Sequence, residues 1–245
     1  MLAAGGDPRV RDTIPRILHQ TWKTTDVPAH WRDARRSWLA AHPDWEHRFW
    51  TDADLDRLVR TRAPWLHPLW RSYPWHIQRV DSARYLMLHE MGGVYADLDL
   101  VCRRPLDELL DNEIVLARTR PLGLTNALMM ARPGHPLMKS ALERLPAAFR
   151  RWQRSWLPRH FRVLLTTGPL FVTACRRARG ASPGERILGL DEYGHGAPER
   201  SYVRHIPGGS WEQWDSRVLN FAYHYWGLFA GTGAAAGAAI LSLME

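Results

Sequence analysis

The chain has 245 residues, 45% of them hydrophobic, which is enough to bury a core and within the size of a single domain. Lys and Arg number 33 against 25 Asp and Glu, a formal charge of +8 carried mostly by arginine. That balance suits anionic partners and by itself leaves nucleic acid, nucleotide phosphates and an acidic membrane surface open. The two cysteines, Cys102 and Cys175, stand far apart, which excludes a cysteine-rich zinc cluster or a small disulfide scaffold and reads as two buried thiols.

Met1 to Arg16 holds charges and a proline but no apolar run of signal-peptide length, so no cleavable export signal is expected. Ile14 to Trp22 (IPRILHQTW) reads as a buried first strand, Ala29 to Ala41 as a helix, and Glu46 to Trp50 as a short strand. Asp52 is placed to cap a helix running to about Arg60. Strand and helix in alternation point to a layered α/β domain with a mainly parallel sheet flanked by helices, where ligands collect at the carboxyl ends of the strands.

Pro74 to Met91 is helical, with apolar side chains around most of its circumference, so it belongs in the interior. Gly92 and Gly93 end it. Val94 to Leu100 (VYADLDL) then alternates as a strand, with Val94, Ala96, Leu98 and Leu100 on one side and Tyr95, Asp97 and Asp99 on the other. Further strands are expected at Glu113 to Thr119, Ala127 to Ala131, Arg186 to Leu190 and Tyr202 to Ile206, and helices at Pro136 to Gln153 and Gly168 to Arg179, with an exposed loop around Ala178 to Glu185. No repeat or long linker divides the chain. The expected organisation is one catalytic domain over 1–217 and an uncharged Ala/Gly-rich tail over 218–245, a candidate membrane anchor in which Gly233 and Gly237 form a GxxxG pair.

The chemistry centres on Asp97 and Asp99. Two carboxylates projecting together repel, and a hard divalent cation bound through oxygen, Mg2+ or Mn2+, is the simplest way to keep both ionised. Neither His nor Cys adjoins the pair, which argues against zinc. Upstream, Asp81 and Arg84 lie three apart on the apolar helix, so they share a face and need a partner or a polar ligand. A glycoside hydrolase needs its carboxylates across a sugar, about 5 to 9.5 Å apart, so neighbours on one strand suit a metal better. A basic, tryptophan-rich nucleic-acid-binding module is a further alternative, marked by steep salt dependence without need of a divalent ion.

The run RVDSARYLMLHEMGGVYADLDL, with IPRILHQTWKT, FWTD, TNALMMARPGHP, TGP and HIPGGSW elsewhere, resembles the DxD sugar-binding glycosyltransferases. That family includes yeast-type Golgi mannosyltransferases and inositol phosphoceramide mannosyltransferases, and the resemblance covers most of the chain. It implies a GT-A type fold and metal-dependent transfer of a hexose from a nucleotide sugar with retention of configuration. GDP-mannose is the favoured donor, and a lipid-linked or glycan molecule the acceptor. A UDP-hexose transferase of capsule or surface polysaccharide synthesis is the alternative. The implied setting is membrane-associated, at the cytoplasmic face in a bacterium or in the Golgi of a eukaryote.

By the same resemblance, Asp99 binds the metal directly and Asp97 contacts ribose, sugar or metal, while Asp81 and Arg84 hold the sugar hydroxyls. Trp22 matches an aromatic that stacks on the base in more distant glucosylating toxins, and equally fits a packing tryptophan. Tyr95 fits packing or ribose contact. His205 would complete the metal shell or meet a phosphate, Ser210 and Trp211 would close over the diphosphate through hydroxyl and indole N–H donors, and Asn126 is a weaker donor-site candidate.

Overall fold

A computed structural model describes residues 13–206 apart from residues 121, 196 and 198. Ser210, Trp211 and the 218–245 tail lie outside the described residues, as does most of the segment in which no export signal was expected. Among the described residues no helix is long and apolar enough to cross a membrane.

The order opens with β1 (Ile17–Thr21), α1 (Ala29–Ala41), β2 (Glu46–Trp50), α2 (Asp52–Arg62), α3 (His67–Ser72), α4 (His76–Glu90) and β3 (Gly93–Ala96). It continues with β4 (Leu100–Cys102), β5 (Ile114–Arg118), β6 (Leu124–Ala131), α5 (Pro136–Trp152), α6 (Arg159–Thr166), α7 (Pro169–Arg179), β7 (Glu185–Leu188) and β8 (Val203–His205). Six strands form one sheet in the order β2-β1-β3-β6-β5-β7. β6 runs antiparallel to both its neighbours, while β2, β1 and β3 pair in parallel, as do β5 and β7.

The sheet separates two apolar layers. Tyr95, Met129, Ile114 and Leu116 face a core shared with α2 to α5 and α7, and Val94, Ala96, Leu18, Met130 and Val115 face a second core that includes Trp38 of α1. This is the period of two expected for a buried strand. α4 is buried almost all round, from Val80 to Leu88, as its composition requires. Cys102 and Cys175 are buried free thiols, both pushed up to about 12 by burial.

The structure corrects several expectations. Asp52 does not cap α2: Thr51 does, its hydroxyl accepting from the Asp54 N–H while Asp54 accepts from the Thr51 N–H. The strand expected over Val94 to Leu100 stops at Ala96. The Asp97 N–H donates to the Ala127 carbonyl (2.9 Å) and the Leu100 N–H to the Asp97 carbonyl (3.2 Å), so Asp97 to Leu100 is a turn. β4 then leaves the main sheet to pair with β8. The helices α3 and α6 were not anticipated, being too short for a clear apolar period.

Gly92 and Gly93 join α4 to β3 with φ of 65° and 96°, and a Cβ on Gly93 would stand 2.5 Å from the Ile17 carbonyl oxygen. His19 of β1 clamps the same junction. Its Nε2–H donates to the Gly92 carbonyl (2.9 Å) and its Nδ1 accepts from the Trp50 indole (3.1 Å), an arrangement only the neutral ring can make. Burial therefore lowers His19 from 6.5 to about 4. As pH falls the unfolded chain takes this proton near 6.5 and the folded chain only near 4, so stability is lost across that window, by about 3 kcal/mol. Asp81 and Asp99, raised to about 6, act in the opposite sense over the same range, so the readout is a difference: between pH 7 and pH 4.5, urea unfolding is expected to give a change in stability less favourable in wild type than in His19→Gln, and an identical change in both would contradict this account.

Candidate active site

The carboxyl ends of β1, β2 and β3 open into a cleft lined by Trp22 and Lys23 after β1, Asp52 after β2, and Asp97 and Asp99 after β3. His76, Ile77, Val80 and Arg84 of α4 form another wall, with Arg159 at the start of α6. This is where open α/β sheets bind ligands. Leu98, between the two acids, packs with Val27 and Trp31 against Trp22 and Phe49, so the acidic turn is pinned by an apolar centre.

Arg84 is 2% exposed and ties the site together. It meets Asp81 at 3.0 Å and Asp97 at 3.4 Å, donates to the Asn126 carbonyl at 2.5 Å, and lies 4.4 Å from the centre of the Tyr95 ring. Burial opposes its charge, but Asp97, Tyr95 and Asp81 outweigh that and hold the guanidinium firmly protonated. Asp81 is walled off from the cleft. Its oxygens are taken by Arg84, the Asn126 amide (3.0 Å) and the Thr167 hydroxyl (2.9 Å), and burial still pushes it up to about 6. Tyr95 is fully buried and donates to Asp97 (2.7 Å). Asp81, Asn126 and Tyr95 thus orient Arg84 and Asp97 from behind, whereas Arg84 reaches the cleft.

Asp99 lies mostly buried at the edge of this network. One of its oxygens is buried without a hydrogen-bond partner, and burial, then Asp97, pushes it up to about 6. The Ile206 N–H donates to its carbonyl (2.7 Å), and the β4–β8 register sets Leu100 opposite His205, whose Nδ1 is 3.8 Å from the Asp99 carboxylate. A distant histidine is thereby brought beside the DxD turn. Among the described residues no three His, Cys, Asp or Glu side chains are grouped closely enough to hold a metal unaided. The donor set nevertheless fits a hard divalent ion, since two adjoining carboxylates, one with an orphaned oxygen, need positive charge between them.

Trp22 stands edge-on to Trp31, with ring centroids 4.8 Å apart, and the Lys23 ammonium is 5.6 Å from its ring. Lys23, His76 and Arg159 were not singled out from the sequence, and Asp52 only as a helix cap, although Lys23 and Asp52 fall within the quoted IPRILHQTWKT and FWTD. The signal for Lys23 and Asp52 was their place just after β1 and β2, where polar side chains face the ligand edge.

Comparison with known proteins agrees with this geometry. The family model described as the glycosyltransferase sugar-binding region containing the DXD motif matches residues 28–116. Inositol phosphoceramide mannosyltransferase 3 of Schizosaccharomyces pombe is 33% identical over 224 residues, covering 90% of this chain and 62% of that protein. Mannosyl phosphorylinositol ceramide synthase SUR1 of Saccharomyces cerevisiae is 38% identical over 160 residues, covering 65% of this chain and 41% of that protein. The chain therefore spans less than two thirds of either relative. Among solved structures, the ligand-free glycosyltransferase domain from the YGT toxin aligns with a TM-score of 0.58 at 9% identity, over 72% of this chain and 80% of that one. The PaToxG glycosyltransferase aligns with a TM-score of 0.52 at 14% identity, over 69% and 70%. These likenesses show the fold, which is the expected GT-A type. Residues 28–116, running from the start of α1 into β5 and including the acidic turn, thus match the glycosyltransferase sugar-binding region that contains a DXD motif.

Proposed function

We propose that this chain is a metal-dependent, retaining glycosyltransferase that moves a hexose, with mannose from GDP-mannose as the favoured donor, to a lipid-linked or glycan acceptor. The observation that carries the reading is the acidic turn itself: Asp97 braced by Arg84 and Tyr95, and Asp99 with a buried oxygen left free, both at the ligand edge of the sheet. The sugar and the acceptor class are supported by the names of the relatives, which are mannosyltransferases of inositol phosphoceramide. The same names support work at a membrane.

Asp99 and Asp97 would hold the divalent ion, Mn2+ or Mg2+, with His205 beside Asp99. Bound there, it would serve as a Lewis acid for the departing diphosphate. The chain's own contribution is positioning and charge. Arg84, Lys23 and Arg159 supply fixed positive charge inside the cleft, where it stabilises negative charge that develops on the leaving group. Trp22 offers a face for the base, and Arg84, locked from behind by Asp81 and Asn126, presents donors to the sugar. Ser210 and Trp211, outside the described residues, remain proposed as donors to the diphosphate. For retention, the acceptor hydroxyl attacks the anomeric carbon on the face that the diphosphate leaves. The new C–O bond forms as the sugar–phosphate bond breaks, and the hydroxyl proton passes to the leaving phosphate.

A panel of nucleotide sugars tested for hydrolysis with and without Mn2+ checks the reading. GDP-mannose turnover that requires the ion and stops with chelator is expected. Failure of every donor to turn over would overturn the assignment, and preference for a UDP-hexose would overturn the choice of donor.

A further inference from the structure

We infer that Lys23 and Asp52 read the base of the donor, and that together they select guanine. The inference rests on the proposal that the cleft holds a nucleotide diphosphate sugar, and deepens it by naming the residues that choose the nucleotide.

The ligand edge orders the groups. β2, β1 and β3 are consecutive, so Asp52, then Trp22 with Lys23, then the Asp97–Asp99 turn follow one another along it, at a strand spacing of roughly 4.8 Å. A nucleotide whose phosphates lie at the acidic turn extends its base over Trp22, with the outer edge of the base toward Asp52.

Asp52 stands in the first turn of α2, where a negative charge is favourable, but it is not the cap of that helix. The cap of α2 is made by Thr51 and Asp54, and the Asp52 side chain, 43% exposed in the cleft wall, accepts one hydrogen bond, from His76 Nε2 at 2.8 Å. That bond orients the group and leaves most of its accepting capacity free. Lys23 is tied to it through the backbone, the Asp52 N–H donating to the Lys23 carbonyl (3.3 Å), and its ammonium stands by the Trp22 ring. One end of the base site thus carries a group that only donates next to a group that only accepts.

Guanine matches this order. Its outer edge presents the O6 acceptor, then the N1–H donor, then the N2 amino donor, so Lys23 meets O6 while the carboxylate takes both N–H groups in a charge-assisted, two-point contact. Uracil presents acceptor, donor, acceptor, which turns its O2 against the carboxylate. Adenine and cytosine begin with an amino donor, which opposes the ammonium. The charges therefore reject the other bases as well as fitting guanine.

Binding of GDP, IDP and UDP to the full chain with Mn2+, measured by calorimetry, tests this directly. IDP lacks only the N2 amino group. Wild type is expected to bind GDP about tenfold more tightly than IDP, and UDP more weakly than either, from the loss of one or more paired contacts. Asp52→Asn, which leaves the Thr51–Asp54 cap untouched, is expected to bring GDP and IDP within about threefold and to tighten UDP binding, since the carboxylate no longer opposes O2; an unchanged GDP-to-IDP ratio in the variant would remove Asp52 from the base site. Equal affinity of wild type for GDP and IDP, or tighter binding of UDP, would overturn the base assignment while leaving the transferase reading intact. Absence of binding by any of the three nucleotides would overturn both.

Discussion

Asp99→Asn is expected to lower metal-dependent transfer about 10³-fold, roughly 4 kcal/mol of transition-state stabilisation, while the chain stays folded. The asymmetry follows from its surroundings. The Asp99 carboxylate is mostly buried, has an oxygen without a partner and lies beside a second carboxylate, so removing its charge relieves the fold instead of weakening it. The thermal midpoint without metal should stay level or rise, and the increase in midpoint on adding Mn2+ should vanish. Kinetics and thermal melts with and without Mn2+ read both quantities. Wild-type turnover in the variant, or a midpoint that still climbs normally with Mn2+, would remove Asp99 from the metal site.

Arg84 behaves in the opposite way, because stability and activity run through the same guanidinium. Arg84→Ala strands Asp81 in the interior and unhooks Asp97 and the Asn126 carbonyl. Breaking a buried pair of this kind costs about 3 to 5 kcal/mol, a large share of the stability of an ordinary domain, so this variant is expected to be partly unfolded at 37 °C. Arg84→Lys separates the two roles. A single ammonium keeps the charge but cannot reach Asp81, Asp97 and the Asn126 carbonyl together, so the variant should fold with a lowered midpoint and show transfer reduced about 100-fold. Its affinity for free nucleotide diphosphate should change less than its turnover. Wild-type melting in Arg84→Ala would refute the structural role, and an equal loss of nucleotide affinity and turnover in Arg84→Lys would refute the link to the sugar.

Much of the architecture was legible before any coordinates. Alternating strand and helix patterns placed β1, α1, β2 and α2, and the all-round apolar character of α4 marked it as interior. The pairing of Asp81 with Arg84, three apart on one helix, also follows from helical period alone. These features are local, set by backbone period and by burial of the residues that carry it.

What the sequence determined by itself was therefore the order of most elements, the buried helix, and the acids, arginine and tryptophan that line the cleft. Only the tertiary structure decided that Asp97 and Asp99 occupy a turn, because the Leu100 N–H closes back on the Asp97 carbonyl and β4 leaves to pair with β8. It also decided that His205 lies beside Asp99, through the pairing of β4 with β8 across half the chain. In the same way it withdrew Asp81, Tyr95 and Asn126 behind Arg84 and brought Lys23, Asp52, His76 and Arg159 to the cleft. Those outcomes depend on hydrogen bonds and packing between segments distant in the chain, which leave no periodic trace in the residues that make them.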